Sequence, residues 1–122
     1  MNFWSQKNIL LTGASGFIGN RLFQSLMKKN ARVFCFVRDR KKVMIENEEL
    51  FKKSRSKIYE GEITDKEKMS RIINNNNIEH IFHLAANNQN RLLDKESEII
   101  LKTNIIGCVS LLDACLKKKN IK

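Results

Sequence analysis

The chain has 122 residues, with 23 lysines and arginines against 13 aspartates and glutamates and a net charge of +10. This length suffices for one domain with a hydrophobic core, and the 42% apolar content excludes a disordered chain. No apolar run approaches the roughly eighteen residues of a membrane span, and no signal segment opens the chain, so we expect a cytoplasmic protein without a membrane contact.

The basic residues fall mainly into four groups, 28–29, 38–42, 52–57 and 117–119, mostly at the ends of predicted elements. A nucleic-acid-binding surface is one interpretation of this charge. The groups do not form a single stripe, however, and no aromatic residues alternate with them to stack on bases. We therefore favour a solvated basic surface, with nucleic-acid binding as the less favoured alternative.

Neither the cysteines nor the histidines have the spacing of a metal site. Cys35, Cys108 and Cys115 are expected to be small apolar side chains buried in a reducing compartment. His80 and His83 lie three residues apart in a predicted strand, so they face opposite sides of it. We expect no metal ion, and a structural role for His83.

The first strand is predicted at 8–12, where apolar residues lead into a glycine-rich turn, and a helix pattern covers 16–29. A dinucleotide pyrophosphate needs this arrangement. Gly13 permits the tight turn, Gly16 lets the backbone approach the phosphates, and Gly19 lets the helix lie close to the strand. The free N–H groups and the dipole at the helix start favour an anion. The alternative is an ordinary strand-to-helix loop.

The second strand, predicted at 32–37, is apolar almost throughout and is expected to be buried on both faces. The residue type that follows this strand separates NAD from NADP in dinucleotide-binding folds. Arg38 is predicted to lie against a 2′-phosphate, with Arg40 or Lys41 assisting, which favours NADP. Asp39 could instead hydrogen-bond a ribose hydroxyl, so NAD is the second choice.

The remaining elements alternate between helix and strand patterns. We predict helices at 42–51, 64–74 and 96–119 and strands at 57–60 and 79–84, with Thr64 and Glu67 forming a capping box. Such alternation implies right-handed crossovers and a parallel α/β sheet. In the doubly wound Rossmann order the strands lie 3-2-1-4, and the binding crevice lies between the carboxyl ends of strands one and four.

Five short motifs are similar to those of a known protein family. They are the glycine turn at 13–19, Val37-Arg38-Asp39, Gly61-Glu62-Ile63, His83-Leu84-Ala85-Ala86 and Asn104-Ile105-Ile106-Gly107. Together they resemble the extended short-chain dehydrogenase/reductase family of NAD(P)-dependent epimerases, dehydratases and reductases. Glu62 stands where that family has an aspartate. With the arguments above, the resemblance implies that the cofactor is bound by Gly13, Ser15, Gly16, Phe17, Ile18, Gly19, Arg38, Lys41, Glu62, Ile63, Leu84, Ala85 and Ala86. It also implies that Asn104 supports the active site.

The catalytic Tyr-x-x-x-Lys pair of that family is absent, because Ile63 stands four residues after the only tyrosine, Tyr59. In the family, the tyrosine is the general acid/base, and the lysine lowers its pKa. We expect a single NAD(P)-binding Rossmann half domain over 1–122, truncated before the fifth strand. It would be the amino-terminal portion of an enzyme acting on a nucleotide sugar or a similar carbonyl or alcohol, and inactive alone. A non-catalytic dinucleotide-binding sensor or subunit is the alternative.

Two surfaces are expected to lack neighbours in such a half domain. The strand at 79–84 becomes a sheet edge, whose backbone groups we expect to be unpaired. The last predicted helix would expose part of its apolar stripe. We therefore expect a homo-oligomer or a complementing chain at these surfaces. The alternative is a monomer whose last helix shields the edge.

Overall fold

The computed structural model describes residues 2–87, 94–119 and 121–122. Its four strands are β1 Asn8–Thr12, β2 Arg32–Val37, β3 Lys57–Glu60 and β4 His80–His83. They form one parallel sheet in the order β3-β2-β1-β4, which confirms the predicted α/β topology. In the register of the central pair, Thr12 at the carboxyl end of β1 lies beside Phe36 of β2 and His83 of β4.

Three helices connect the strands: α1 Phe17–Lys28, α2 Arg40–Lys52 and α3 Lys66–Asn75. After β4 come α4 Asp94–Leu101, a π-helical turn Lys102–Ile106 and α5 Gly107–Leu116, which run on without a break. We call these three segments together the last helix. The predicted helix at 96–119 is confirmed in outline, but its periodicity did not reveal the π-helical turn.

The start of α3 differs from the prediction. Asp65 caps this helix, because its carboxylate accepts a hydrogen bond from the N–H of Lys68 at 3.0 Å. The predicted capping pair of Thr64 and Glu67 is therefore wrong, and the helix begins at Lys66. An aspartate directly after a threonine offers an equally good capping oxygen one residue later.

The core lies on both faces of the sheet. One face, which includes Ile9, Leu11 and Val33, packs against α1 and α2, and the other, which includes Leu10 and Phe34, packs against α3 and α5. Five of the six residues of β2 are buried, so the prediction that this strand is buried on both faces is confirmed.

The cysteines are only partly as expected. Cys35 is fully buried in β2, and desolvation raises the pKa of its thiol far above the usual range. Cys108 and Cys115 are half-buried, and all three thiols are free.

The outer edge of β4 is partly paired. The backbone of Lys122 exchanges hydrogen bonds with Glu79 and Ile81, so the expectation of an unpaired edge is wrong at this point. The predicted exposure of the last helix is confirmed. Its side chains that are about half or more exposed are Ile99, Leu101, Ile105, Ile106, Val109, Leu112 and Leu116.

The same helix differs from the expectation about membrane spans. Within the described residues, the stretch Ser97–Leu116 is long and apolar enough to cross a membrane, judged by length and composition only. Core helices of soluble proteins pass the same test, so this is a weak indication. In the structure α5 packs against α3 through the buried residues Gly107, Ser110, Leu111 and Ala114.

Candidate dinucleotide-binding site

A cavity of about 240 Å³ opens at the carboxyl ends of the strands, between the turn after β1 and the loop after β4. It lies where the strand order reverses, which is the usual ligand site of open α/β sheets. The lining residues are Gly13, Ser15, Gly16, Phe36, Val37, Arg38, Lys42, Gly61, Glu62, Ile63, Leu84, Ala85, Ala86 and Thr103. They include nine of the predicted cofactor-binding residues.

The glycine turn is shaped by two close approaches. Gly13 has a φ of +76°, and a Cβ there would lie 2.6 Å from the carbonyl carbon of Leu84. A Cβ on Gly19 would overlap the carbonyl oxygen of Gly13, so this glycine lets α1 begin directly against the turn. Gly16 differs, since a Cβ there would meet only the Gly13 oxygen at an ordinary 3.4 Å. The protein itself therefore leaves space beside Gly16 for a ligand.

The amino terminus of α1 is suited to an anion. Phe17, Ile18 and Gly19 form its first turn, where backbone N–H groups have no acceptor within the helix. The first turn contains no acidic residue, and no side chain caps it. Within α1 itself, no acidic side chain or cap therefore compensates the positive end of the helix dipole. The side chains of Phe17 and Ile18 are exposed outside the main cavity, so these residues can contribute through their backbone.

The basic residues at the end of β2 are arranged differently from the prediction. Arg38 and Lys42 line the cavity, whereas Lys41 does not. Asp39 caps α2 by accepting a hydrogen bond from the Lys41 N–H at 3.0 Å, which starts the helix at Arg40. The predicted helix start at residue 42 was two residues too late.

The other basic groups lie at the opposite end of the sheet. Helices in this topology run antiparallel to the strands, so the ends of α1, α2 and α5 lie near the amino ends of the strands. Basic residues there complement the negative ends of the helix dipoles. Lys52 also pairs with Glu48 at 2.8 Å and Lys53 with Glu49 at 3.6 Å. Only the 38–42 group thus lies at the cavity.

The carboxyl ends of β1 and β4 are joined through one buried hydroxyl. The Oγ1 atom of Thr12 lies 3.1 Å from the backbone nitrogens of both Leu84 and Ala85 and 2.7 Å from Nδ1 of His83. Desolvation lowers the pKa of the half-buried His83. This arrangement agrees with the structural role predicted for that histidine.

The last helix closes the site from the other side. Asn104 holds the backbone of Asn87: its Oδ1 accepts a hydrogen bond from the N–H at 2.7 Å, and its Nδ2 donates to the C=O at 2.9 Å. Asn104 lies on the π-helical turn, a local geometry that is frequent at functional sites. A Cβ on Gly107 would clash with Ile63, so this glycine lets α5 pack against the cavity wall.

The structure separates the predicted residues into groups. Gly13, Ser15, Gly16, Arg38, Glu62, Ile63, Leu84, Ala85 and Ala86 line one cavity. Phe17, Ile18, Gly19 and Lys41 do not line it. Five lining residues are outside the predicted set: Phe36, Val37, Lys42, Gly61 and Thr103. The capping residue Asp39 could have indicated Lys42, because the start of α2 determines which of its lysines lies towards the crevice.

Tyr59 does not lie at the cavity. Its hydroxyl donates a hydrogen bond to Oδ1 of Asn76 at 3.2 Å, on the far side of the sheet at β3. Its position gives it no part in chemistry at this site.

The model of the family described as GDP-mannose 4,6 dehydratase matches residues 10–122. The chain belongs to this family. The match agrees with the resemblance to extended short-chain dehydrogenases/reductases that the five motifs indicated. The motifs and the family model thus agree on the family, and the strand order is that of its fold.

Individual relatives agree with this. The chain is 31% identical over 121 residues to the CDP-glucose 4,6-dehydratase of Salmonella typhimurium, covering 99% of this chain and 34% of that protein. The structure of dTDP-glucose 4,6-dehydratase from Bacillus anthracis in complex with NAD superposes with a TM-score of 0.79 at 24% identity, covering 95% of this chain and 36% of that one. At that identity the likeness shows the fold.

A third relative is named an uncharacterized membrane protein of Methanocaldococcus jannaschii. It is 26% identical over 118 residues, covering 97% of this chain and 35% of that protein. The chain thus spans about a third of the length of each of these three proteins.

Proposed function

We propose that the chain binds a nicotinamide dinucleotide, with the pyrophosphate at the start of α1 and the nicotinamide end beside residues 84–86. The observation that carries this is the cavity at the strand-order reversal, in which the glycine turn presents a helix amino terminus without a side-chain cap. The open space beside Gly16 fits the approach of a phosphate. The NAD present in the dehydratase structure of the same fold supports the same ligand class.

Within this function, NADP is the proposed cofactor and NAD the second choice. Arg38 and Lys42 both line the cavity next to the end of β2, where a 2′-phosphate would lie. Asp39 is engaged in capping α2, which disfavours the alternative in which it binds a ribose hydroxyl. Two cations at this position suit a doubly charged phosphate better than a neutral hydroxyl group.

The activity proposed for the whole protein is NAD(P)-dependent conversion of a nucleotide sugar or a similar carbonyl or alcohol compound, as the names of the relatives suggest. This chain would provide the cofactor site, with Asn104 positioning the loop after β4. It has no Tyr-x-x-x-Lys pair, and its single tyrosine lies away from the cavity. We therefore expect no turnover by the chain alone. A non-catalytic dinucleotide-binding sensor or subunit is the second candidate.

The exposed apolar side chains of the last helix, with the part of the β4 edge that Lys122 does not cover, are proposed as the contact with a second copy or a complementing chain. We propose a cytoplasmic protein in which these side chains meet protein and not lipid. The packing of α5 on α3 supports this, as does the pair between Asp113 of α5 and Lys66 of α3 at 3.2 Å. This packing favours a place in the protein over a membrane-spanning position for the helix.

Calorimetric titration of the purified chain with NADPH, NADH and a DNA oligomer at two salt concentrations tests these proposals. We expect saturable binding of both dinucleotides, tighter for NADPH, and no oxidation, dehydration or epimerisation of nucleotide sugars. Salt-dependent DNA binding without dinucleotide binding would replace the proposal with the nucleic-acid alternative. Turnover by material free of host enzyme would refute the inactive half domain.

A further inference from the structure

A second cavity of about 240 Å³ lies beside the first, in the seam between α1 and α2. It shares Ser15, Gly16 and Lys42 with the first cavity, and Asn20 of α1 and Glu46 of α2 also line it. Glu46 follows Lys42 by four residues, so the two side chains are neighbours on the surface of α2. A carboxylate therefore lies within reach of the amine that is proposed to bind the 2′-phosphate.

Lys42 and Glu46 nevertheless do not pair with each other. The same helix shows an ion pair at this spacing, between Glu48 and Lys52 at 2.8 Å. Among the described residues, no ion pair joins Lys42 to Glu46. The Oε2 atom of Glu46 instead accepts a hydrogen bond from Nδ2 of Asn20 at 2.6 Å. Lysine before glutamate is the weaker order for a pair on a helix, so one charge-assisted bond from α1 is enough to hold the carboxylate.

The amide of Asn20 is oriented by a buried neighbour. Asn47 is 2% exposed, and its Nδ2 donates to the carbonyl oxygen of Val43 at 2.8 Å, which determines where this amide carries its N–H groups. The same Nδ2 donates to Oδ1 of Asn20 at 2.8 Å. Asn20 therefore accepts on the side of Asn47 and presents its own N–H groups towards Glu46. The donor to this carboxylate is thus held in place from the protein interior.

We propose that Asn20 supports the preference for NADPH by holding the Glu46 carboxylate away from Lys42. The inference rests on the proposed cofactor site and adds to it a positioning residue that does not touch the ligand. With Glu46 held by α1, the Lys42 amine is left for the 2′-phosphate. A released carboxylate would pair with that amine and would also repel the doubly charged phosphate.

Arg21 is the other cation that lines the second cavity. The central carbon of its guanidinium lies 5.8 Å from the centre of the Phe17 ring, in a cation–π contact. Among the described residues, Lys42 has no such contact, and it lies one turn from Glu46 on the same helix. A released Glu46 is therefore expected to turn to Lys42.

The first test replaces the donor. Asn20→Leu has a side chain of similar size that cannot donate to Glu46, and leucine is a good helix former. We expect the NADPH/NADH affinity ratio to fall about two- to fivefold, the range for gaining one surface ion pair. Binding of NADH should not change, because NADH carries no 2′-phosphate. Titration calorimetry at neutral pH and one ionic strength measures both dissociation constants.

The second test asks whether the carboxylate causes the fall. Glu46→Gln removes the charge and keeps the shape of the side chain. In the wild-type background it should change the ratio little, since Asn20 already holds Glu46. In the Asn20→Leu background it should restore the ratio to at least the wild-type value. Equal effects of Glu46→Gln in the two backgrounds would show that Asn20 does not control this carboxylate, and would overturn the inference.

Gln24→Leu is the matched control. Gln24 also lies on α1, and its Nε2 donates to Oδ1 of Asn47 at 3.2 Å. Its replacement weakens the same seam between α1 and α2 but leaves the bond between Asn20 and Glu46 in place, so we expect the wild-type ratio. A fall as large as that in Asn20→Leu would attribute the effect to the packing of the two helices and would overturn the inference.

The outcomes separate the two proposals. A wild-type ratio in folded Asn20→Leu would overturn the role of Asn20 and leave dinucleotide binding standing. If that variant does not fold, Asn20→Ala removes the same donor, and a wild-type ratio there has the same meaning. Equal binding of NADPH and NADH by the wild type would overturn the assignment of NADP together with this inference. No binding of either dinucleotide by the folded wild type would overturn the proposed function itself.

Discussion

At the outer edge of β4, the backbone of Lys122 forms hydrogen bonds with the residues on either side of His80. The N–H of Lys122 donates to the C=O of Glu79 at 2.9 Å, and its C=O accepts from the N–H of Ile81 at 2.9 Å. This pair of bonds is the pattern of a parallel bridge. The edge of β4 is thus compatible with a further parallel strand, and in this register Lys122 is the partner of His80.

Removing residues 121–122 should uncover this part of the edge. We expect faster hydrogen exchange of the Ile81 amide and stronger self-association, because an open strand edge is a template for another chain. Exchange followed by NMR and sedimentation at several concentrations measure both effects. Lys122→Ala is the matched control, since it keeps the backbone bonds and should match the wild type. No change on removing both residues would show that the bridge does not protect the edge.

The exposed face of the last helix should drive association. Leu112 on α5 is 58% exposed, and Leu112→Glu is expected to shift the chain towards monomer, because a charge at an apolar contact must be desolvated. Ile45 on α2 is 81% exposed on another part of the surface, so Ile45→Glu is the control and should leave the association unchanged. Sedimentation velocity at micromolar concentrations provides the comparison. A stable wild-type monomer at every concentration would contradict the proposed contact.

Arg38 and Lys42 should account for the preference for NADPH. We expect Arg38→Ala to reduce the NADPH/NADH affinity ratio, since a charged contact to the phosphate is lost. The difference between the two binding free energies should shrink by about 1–3 kcal/mol. Lys42→Ala should act in the same direction and Lys41→Ala should not, although all three substitutions remove one positive charge. Titration calorimetry measures the ratio. Equal effects of Lys41→Ala and Lys42→Ala would indicate only the general field of a basic surface.

The three glycines of the turn should respond differently to a side chain. Gly16→Val is expected to abolish cofactor binding, because its side chain would occupy the space proposed for the pyrophosphate. It should not unfold the chain, because a Cβ at this position meets only an ordinary contact within the protein. Gly19→Val should destabilise the fold itself, since its Cβ would overlap the carbonyl oxygen of Gly13. Thermal unfolding and NADPH titration of both variants distinguish the two effects. Undiminished binding by Gly16→Val would refute the position assigned to the pyrophosphate.

Much of the architecture could be read from local patterns. The bounds of β1, β2 and β3 agree with the predictions, because apolar runs and the glycines that end them are local signals. The order β3-β2-β1-β4 also agrees, because right-handed crossovers between parallel strands leave few possible topologies. Nine predicted site residues meet at one cavity for a related reason. Motif residues at the carboxyl ends of parallel strands are brought to one edge whenever the strand order is right.

The sequence by itself therefore determined the parallel sheet, the glycine turn and the family, since each depends on residues close together in the chain. Only the tertiary structure decided which lysine of α2 lines the crevice, that Asn104 holds Asn87 from a π-helical turn, and that Lys122 covers part of the β4 edge. It also decided that one hydroxyl joins Thr12, His83 and the loop after β4. These contacts join residues 17 to 73 positions apart or depend on the exact rotation of a helix, and neither hydrophobic periodicity nor residue spacing carries that information.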